Sequence, residues 1–416
     1  MAVLRPPVNR SGEEKLMKQL CIAVAAIAVA LGAAQASEKK YGPGVTDTEI
    51  RIGNVVPYSG PASAYGVRGS AIVDYFKKIN EKGGINGRKV NIISLDDAYS
   101  PPKAVEQTRK LVENENVLAV YGSVGTPSNS AVHKYLNSKK VPQLFVATGA
   151  SKWNDPKHYP WTTAMLPLYD MEAKIYANYV LKNKPDGKVA IIYQNDDFGK
   201  DYVRGFREGL GDKAKSMIAL ELPYEITSAT VDAEVVRMKA SGADVLFIVA
   251  TPKFAAQVIK RVHELDWKPL QMVVSVSASI GGVLKPAGVK ASQGVITAVA
   301  LKEPDDPQWA NDQDMKDYKA FMTSIGQTGM IDDSNAVQGY MAAVLLERVL
   351  RRAGDNLTRE NLRDIAASMN EENVPMVLPK LTLHTSPDNY SLYNALYLQR
   401  FEGDRYNLFE GPISEK

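Results

Sequence analysis

Cysteine is almost missing: Cys21 is the only one in 416 residues. No internal disulfide can form, and 4 histidines leave little material for a zinc site. His133, His158, His263 and His384 lie in unrelated segments without ligand spacing and read as surface or structural residues. Charge of one sign is scarce as well. The formal net charge is +3, and the excess of Arg5, Arg10, Lys15 and Lys18 over Glu13 and Glu14 places most of it ahead of residue 37. No basic footprint for nucleic acid remains. The chain also lacks G-x-G-x-x-G after a strand, G-x-x-x-x-G-K, H-E-x-x-H and G-x-S-x-G. Nucleotide, zinc-protease and lipase readings lose their usual anchors, and no cofactor or metal is expected.

What is present starts with an address. Ile22 to Leu31 is an uncharged apolar run preceded by Met17 and Lys18 and followed by small residues up to Ala36. At ten residues it is too short to span a bilayer, which needs about 20. It reads as a secretory signal peptide cleaved after Ala36, with Ala34 and Ala36 as the small residues a peptidase requires. Residues before Met17 read as an upstream start. Cys21 precedes the apolar run, where a lipoprotein cysteine would follow it. The expected location is the periplasm.

The full chain is 45% hydrophobic and 23% charged, too apolar for disorder and, at 416 residues, too long for one core. Ile50 to Val56 is β-rich and ends at Pro57 and Gly60. Ile72, Tyr75, Phe76 and Ile79 then recur at helical spacing until Gly83 and Gly84. The unit repeats with strands at Val90 to Leu95, Val117 to Tyr121 and Gln143 to Ala147, and helices at Pro101 to Asn114 and Pro127 to Ser138. A second series follows Trp161, with strands near Val189 to Tyr193, Val245 to Ala250 and Met272 to Val276, and helices near Gly199 to Leu210, Val231 to Ala240 and Phe254 to Leu265. Further helical patterns occupy Met315 to Ser324, Ala336 to Arg351 and Arg359 to Ser368. Strands alternating with helices of this length predict α/β architecture used twice, each a parallel sheet covered on both faces.

Open parallel sheets place ligands at the carboxyl ends of their strands. Three polar loops occupy such ends in the first half, at Tyr58 to Gly66, Gly122 to Ser128 and Thr148 to Ser151. In the second, Thr126 followed by Pro127 reads as a helix N-cap and first helical residue, so free N–H groups and the Ser123 hydroxyl would converge on an anion. Acidic pairs at Asp96 and Asp97, Asp196 and Asp197, and Asp305 and Asp306 point opposite ways on extended chain and read as turn and capping residues.

These residues resemble the periplasmic branched-chain amino-acid-binding protein family, type I solute receptors of ABC importers. The likeness runs through Ile50-Arg51-Ile52-Gly53, Ser59-Gly60-Pro61-Ala62 with Tyr65-Gly66, Gly83-Gly84-Ile85-Asn86-Gly87-Arg88, Asp96-Asp97 and Asp197-Phe198-Gly199. The resemblance implies two flavodoxin-like lobes joined by a three-segment hinge, with the ligand in the cleft. Lobe one would comprise 45–162 and 297–382, and lobe two 163–296 and 383–416. It also implies that Ser123, Val124, Gly149, Ala150 and Ser151 hold a ligand carboxylate through amides and hydroxyls. Tyr65, Phe198, Thr251 and Ser277 would surround the rest of the ligand. Partners would be an ABC permease and a small carboxylate, with the protein a monomer.

The sequence departs from that family at one point. Amino-acid binders place an acid after the strand read as Met272 to Val276, where it neutralises the ligand ammonium, but here stand Ser275, Val276, Ser277, Ala278 and Ser279. Unless Asp97 or Asp197 substitutes across the cleft, a buried ammonium would cost several kcal/mol. The segment Lys152-Trp153-Asn154-Asp155-Pro156 with Tyr159-Pro160-Trp161 resembles a subgroup associated with aromatic and other organic acids. The expected ligand is an aromatic or aliphatic organic acid, the alternative a branched-chain or other hydrophobic amino acid. A transcription regulator on the same fold would need a basic helix-turn-helix where the export run stands. A hydrolase using Ser123 or Ser151 lacks a recognisable base, so no enzyme activity is expected. On this reading Ser123→Ala combined with Ser151→Ala weakens ligand binding by roughly 2 to 4 kcal/mol, checked by calorimetry.

Overall fold

The computed structural model describes residues 1–2 and 39–414. The expected export run and its cleavage after Ala36 lie outside the described residues. The chain divides into a unit Met1–Lys40 and a unit Tyr41–Lys416, and every sheet and helix labelled in the text lies in the second.

Alternating strands and helices fold into two sheets. In the first, β1 (Glu49–Val56), β2 (Lys89–Asp96), β3 (Ala119–Tyr121), β4 (Gln143–Val146) and β5 (Thr162–Ala164) run parallel in the order β2-β1-β3-β4-β5. Three helices connect them: α1 (Gly66–Glu81), α2 (Pro101–Arg109) and α3 (Thr126–Ser138). Ile50, Ile52, Val55 and Val56 of β1 are buried because this strand is flanked on both sides and covered on both faces. This strand order is that of flavodoxin-like doubly wound sheets, whose order reverses between β1 and β3 and opens a crevice there.

The second sheet repeats the plan. After α4 (Tyr169–Asn183) come β6 (Val189–Gln194), α5 (Asp197–Leu210), β7 (Ile218–Tyr224), α6 (Asp232–Ala240), β8 (Val245–Val249), α7 (Pro252–Glu264), β9 (Leu270–Val273) and β10 (Ile296–Val299). The parallel order is β7-β6-β8-β9-β10, extended by antiparallel β11 (Ala395–Glu402) and β12 (Arg405–Ser414). Alternate residues of the central strands feed different cores. Val189 and Ile191 of β6 join Phe247 on one face, and Ala190 and Ile192 join Leu246 and Ile248 on the other. A strand that buries both faces reads as a continuous apolar run, which is what made these strands visible in the sequence.

Between β10 and β11 the chain returns to the first lobe with α8 (Gln313–Ser324), α9 (Ser334–Ala353) and α10 (Arg359–Ala366). Helix α9 packs on α1 so closely that a Cβ on Gly339 would lie 2.7 Å from the Arg68 carbonyl oxygen and 2.8 Å from the Ala71 Cβ. Only glycine permits that approach. One turn earlier on α9, Asn335 thereby faces Arg68.

Two lobe boundaries differ from expectation. Thr297, expected to open the return segment of lobe one, pairs with Gln399 inside the second sheet. Residues 383–392, expected in lobe two, lie on lobe one: Leu383 pairs with Glu371, Thr385 bonds Met369, and the Tyr390 amide donates to Asn154 Oδ1 at 2.6 Å. Helix α4 was missed because Met171, Glu172, Ala173, Ile175, Tyr176, Ala177, Tyr179 and Val180 are buried around nearly its whole circumference, leaving no amphipathic stripe. No helix among the described residues is long and apolar enough to cross a membrane.

The chain passes between the lobes at 165–168, 300–302 and 393–394. Beside the second crossing, Glu303 is 8% exposed; its Oε1 accepts from Gln399 Nε2 at 2.9 Å and its Oε2 has no partner. Burial, helped by Asp305, Asp306 and Asp333, pushes its carboxyl up to about 7 from 4.5. The folded value lies above the unfolded one, so its contribution to stability is full below about pH 4.5, declines as pH rises, and is lost above about 7. We expect Glu303→Gln to be more stable than the parent at pH 7.5, by at most about 3 kcal/mol, and to lose that advantage at pH 4.5. Denaturant titrations at both pH values check this; a pH-independent difference would show that the carboxyl ionises freely in the folded protein.

Candidate ligand-binding site

The loops after β1, β3 and β4 of lobe one meet those after β6, β8 and β9 of lobe two, the carboxyl ends where the topology leaves a crevice. They form a narrow, partly open pocket that leaves a cavity of only about 10 Å³ between the lobes as they stand. Tyr65, Arg68, Tyr99, Val124, Gly125, Thr126 and Ala147 line it from lobe one, and Phe198, Thr251 and Val276 from lobe two, with Tyr169 just past the first crossing. A second cavity lies at the hinge among Leu166, Leu301, Val337 and Met341, and no expected site residue lines it.

Among the described residues that line this pocket, Arg68 is the one that carries a charge. It sits in the first turn of α1 and is 3% exposed, with its Nε donating to Asn335 Oδ1 at 2.9 Å and its guanidinium 4.7 Å from the centre of the Tyr65 ring. Its Nη2 is buried without a partner. Desolvation draws its pKa below the ordinary value, yet a guanidinium stays charged. Arg68 is not among the expected residues because it lies on a helix and not in a strand-end loop. The signal was nevertheless present: position 68 falls on the stripe of α1 that carries Ile72 and Phe76, and a charge on an otherwise buried stripe needs a partner or a purpose.

The second anion-favouring element is the start of α3. The structure puts the N-cap at Gly125, whose φ is 98°, and makes Thr126 the first helical residue, one position earlier than expected. No side chain caps this terminus. Gly125 and Thr126 line the cavity, so the positive end of the helix dipole faces it.

The expected residues separate into two groups. Tyr65, Val124, Phe198 and Thr251 line the cavity. Ser277 borders it through its Oγ, 3.3 Å from the Tyr65 hydroxyl. Thr251 is held by Tyr224, whose hydroxyl accepts from the Thr251 amide at 2.9 Å. The remaining four do not line the cavity. Ser123 Oγ accepts from the Val55 amide at 3.1 Å, and the Val124 amide donates to Val55 carbonyl oxygen, so the two groups expected to meet an anion are tied to β1. Gly149 lies against the first crossing, where a Cβ would fall 1.9 Å from Pro167 carbonyl oxygen, and its own carbonyl accepts from the Tyr169 amide at 2.7 Å. Ala150 is fully buried beside it. Ser151 reaches the other lobe instead: its amide donates to Asp201 Oδ2 at 2.5 Å and its hydroxyl to Asp201 Oδ1 at 3.0 Å.

No acid lines the cavity. Asp97 is buried with Oδ1 accepting from the Tyr99 amide at 3.0 Å, and Asp197 is paired with Lys152 at 2.7 Å. Ser275, the first residue of the segment in which the resemblance led us to look for an acid, donates to Glu172 through its amide at 2.8 Å and its hydroxyl at 2.7 Å. Tyr176 and Tyr202 complete the shell of that buried carboxylate. Burial raises the Glu172 pKa against these bonds, and with four donors in place it is a structural group.

Two clasps join the lobes at the mouth. One is Ser151 and Lys152 against Asp201, Arg204 and Asp197, with Arg204 Nη2 donating to Ser151 Oγ at 2.9 Å. In the other, Ser279 Oγ donates to Asp333 Oδ1 at 2.8 Å and Lys285 pairs with Asp332. Together they are bonds between the lobes that exist only when the lobes meet, and they describe a closed form.

The family model described as "Periplasmic binding protein" matches residues 49–405. Among curated relatives, "Leu/Ile/Val-binding protein homolog 7" of Brucella abortus is 25% identical over 293 residues, covering 68% of this chain and 69% of its own length. Two solved structures share the fold. A branched-chain amino-acid ABC transporter protein from Thermus thermophilus with bound valine aligns with TM-score 0.79 at 17% identity, covering 89% of this chain and 98% of its own. A fatty-acid ABC transporter substrate-binding protein from Thermomonospora curvata aligns at 0.74 with 22% identity, covering 91% and 95%.

The first clasp generates a prediction. Asp201→Ala removes both bonds from Ser151 in the closed form while leaving the cavity wall intact. We expect ligand affinity to fall about tenfold, equivalent to about 1.4 kcal/mol, with the melting temperature of the ligand-free protein little changed. Calorimetry and small-angle scattering with and without ligand read the result; unchanged affinity and unchanged compaction would remove the clasp from the closure energetics.

Proposed function

Because the chain belongs to the periplasmic binding protein family, within its branched-chain amino-acid-binding group, we propose that it is the solute receptor of an ABC importer and takes a small carboxylate without an α-ammonium group. The observation that carries this is Arg68, a buried guanidinium lining the cavity with an unpartnered Nη2 and no acid in the same wall. Leaving a cation buried without a counter-charge costs several kcal/mol. A carboxylate ligand removes that cost, accepting from Arg68 and lying at the positive end of α3. An ammonium on the same ligand would meet a second positive group with no carboxylate lining the cavity to offset it.

The aromatic walls of Tyr65, Tyr99, Tyr169 and Phe198 suit a compact apolar tail, aliphatic or aromatic. Charge-assisted bonds to the carboxylate and burial of one such tail suffice for micromolar affinity, about 8 kcal/mol, after ordering costs. Binding then favours closure because Arg68 and α3 belong to lobe one while Phe198, Thr251 and Val276 belong to lobe two, so a ligand touching both stabilises the closed population. The permease partner reads that closed form. Export to the periplasm, by a signal peptide cleaved after Ala36, is part of the same reading.

The competing reading, an α-amino acid, is favoured by the name of the Brucella relative and the valine in the Thermus protein. It requires an acceptor for the ammonium, and Asp196, whose charge acts on Tyr65 and Tyr99 and whose Oδ2 accepts from Gln194 Nε2 at 2.5 Å, is a candidate. Calorimetry decides. We expect 4-methylpentanoate and 3-phenylpropanoate to bind at least tenfold more tightly than leucine and phenylalanine, and Arg68→Gln to weaken the acids about 100-fold, equivalent to about 2.7 kcal/mol. Tighter binding of leucine than of its deaminated analogue overturns the carboxylate reading in favour of the amino acid.

A further inference from the structure

Buried arginines are ordinarily paired with carboxylates, because desolvating a guanidinium is otherwise costly. Arg68 is not: among the described residues its side-chain hydrogen-bond partner is the neutral amide of Asn335, through Oδ1 at 2.9 Å. The nearest counter-charge stands one residue removed. Asn335 Nδ2 donates to Asp333 Oδ1 at 3.0 Å, the Asn335 amide donates to the same oxygen at 2.9 Å, and Ser279 of lobe two donates to it at 2.8 Å. The orientation of the Asn335 side chain is thus set at both ends, since an amide that donates to a carboxylate presents its oxygen to the guanidinium.

Backbone packing fixes this placement. Gly339 brings α9 against the Arg68 backbone, Asn335 lies one turn earlier on the same face, and Asp333 caps α9. Asn335 is 2% exposed and Asp333 3%, so neither end of the relay is screened by water. An aspartate at position 335 would have nearly the same shape and could accept from Nε, but it would lose the bond to Asp333 and place a second carboxylate beside it. It would also cancel the positive charge that the cavity presents.

We propose that Asn335 is the specificity-determining residue of the site: it holds Arg68 by a neutral acceptor and so keeps the guanidinium charge uncompensated for an anionic ligand. This rests on the small-carboxylate reading and names the residue that makes it possible. Asn335 acts through Arg68 and is a positioning residue.

The test compares 4-methylpentanoate with its uncharged amide, 4-methylpentanamide, in the full chain and in two variants, by calorimetry alongside thermal unfolding. The parent protein should prefer the acid. Asn335→Asp should unfold at a somewhat lower temperature, because it sets a second buried carboxylate against Asp333, lose at least 100-fold in affinity for the acid, and bind the amide within about threefold of the parent. Asn335→Ala should weaken acid and amide by similar factors and keep the preference for the acid, because it loosens Arg68 without neutralising it. Equal losses of acid and amide in Asn335→Asp, or retention of the acid preference there, overturn the inference. Should Asn335→Asp fail to fold, loss of the acid preference in Asn335→Ala overturns it instead. A parent protein that binds the amide as well as the acid, or neither, overturns the carboxylate reading and this inference with it, whereas failure of the variants alone leaves that reading standing.

Discussion

A guanidinium withdrawn from water and left without a carboxylate is the constraint around which the crevice is arranged. Arg68 cannot discharge by losing a proton, so its burial must be supported by oriented neutral groups until a ligand arrives. The Asn335 oxygen, the face of the Tyr65 ring and the more distant charge of Asp333 supply that support. The same constraint explains the glycine at 339, since a side chain there would move α9 away from α1 and carry Asn335 out of reach of Arg68. It also agrees with the acid-free cavity wall, because a carboxylate beside Arg68 would occupy the place of an anionic ligand.

The relay Arg68–Asn335–Asp333 ends on a bond from Ser279, which belongs to the other lobe. The surroundings of Arg68 and the contacts between the lobes therefore share residues. Ser151 and Asp201 close the opposite side of the mouth without touching the cavity. This division suits a receptor whose binding energy is small and whose message is a shape: contacts that exist only in the closed form set the equilibrium, while the cavity wall sets which molecule shifts it. At the hinge, Glu303 adds a carboxyl whose pKa is raised by burial.

The serine loops show where reading along the chain runs out. Ser123 and Ser151 stand at strand ends, as expected, but a strand end offers several directions and the sequence does not say which a hydroxyl takes. Ser123 turns back to bond β1 and Ser151 turns outward to Asp201. Tyr65, Phe198 and Thr251, which the family resemblance pointed to, line the crevice. Arg68 was legible as a charge on the buried stripe of α1, and Asn335 was not, because nothing local distinguishes it from a helix N-terminal residue.

By itself the sequence determined the alternation of strands and helices, the doubling of the architecture and the shortage of acids after β9, because these depend on periodicity and on residues near one another in the chain. Which lobe takes 297–299 and 383–392, which hydroxyls reach the cavity and what holds Arg68 were decided by tertiary structure. Each is a contact between segments far apart in sequence, such as Thr297 with Gln399 or Arg68 with Asn335. Such contacts arise only once sheets and helices have packed, and packing distances, not local propensity, determine which polar group is left without a partner and can take a ligand.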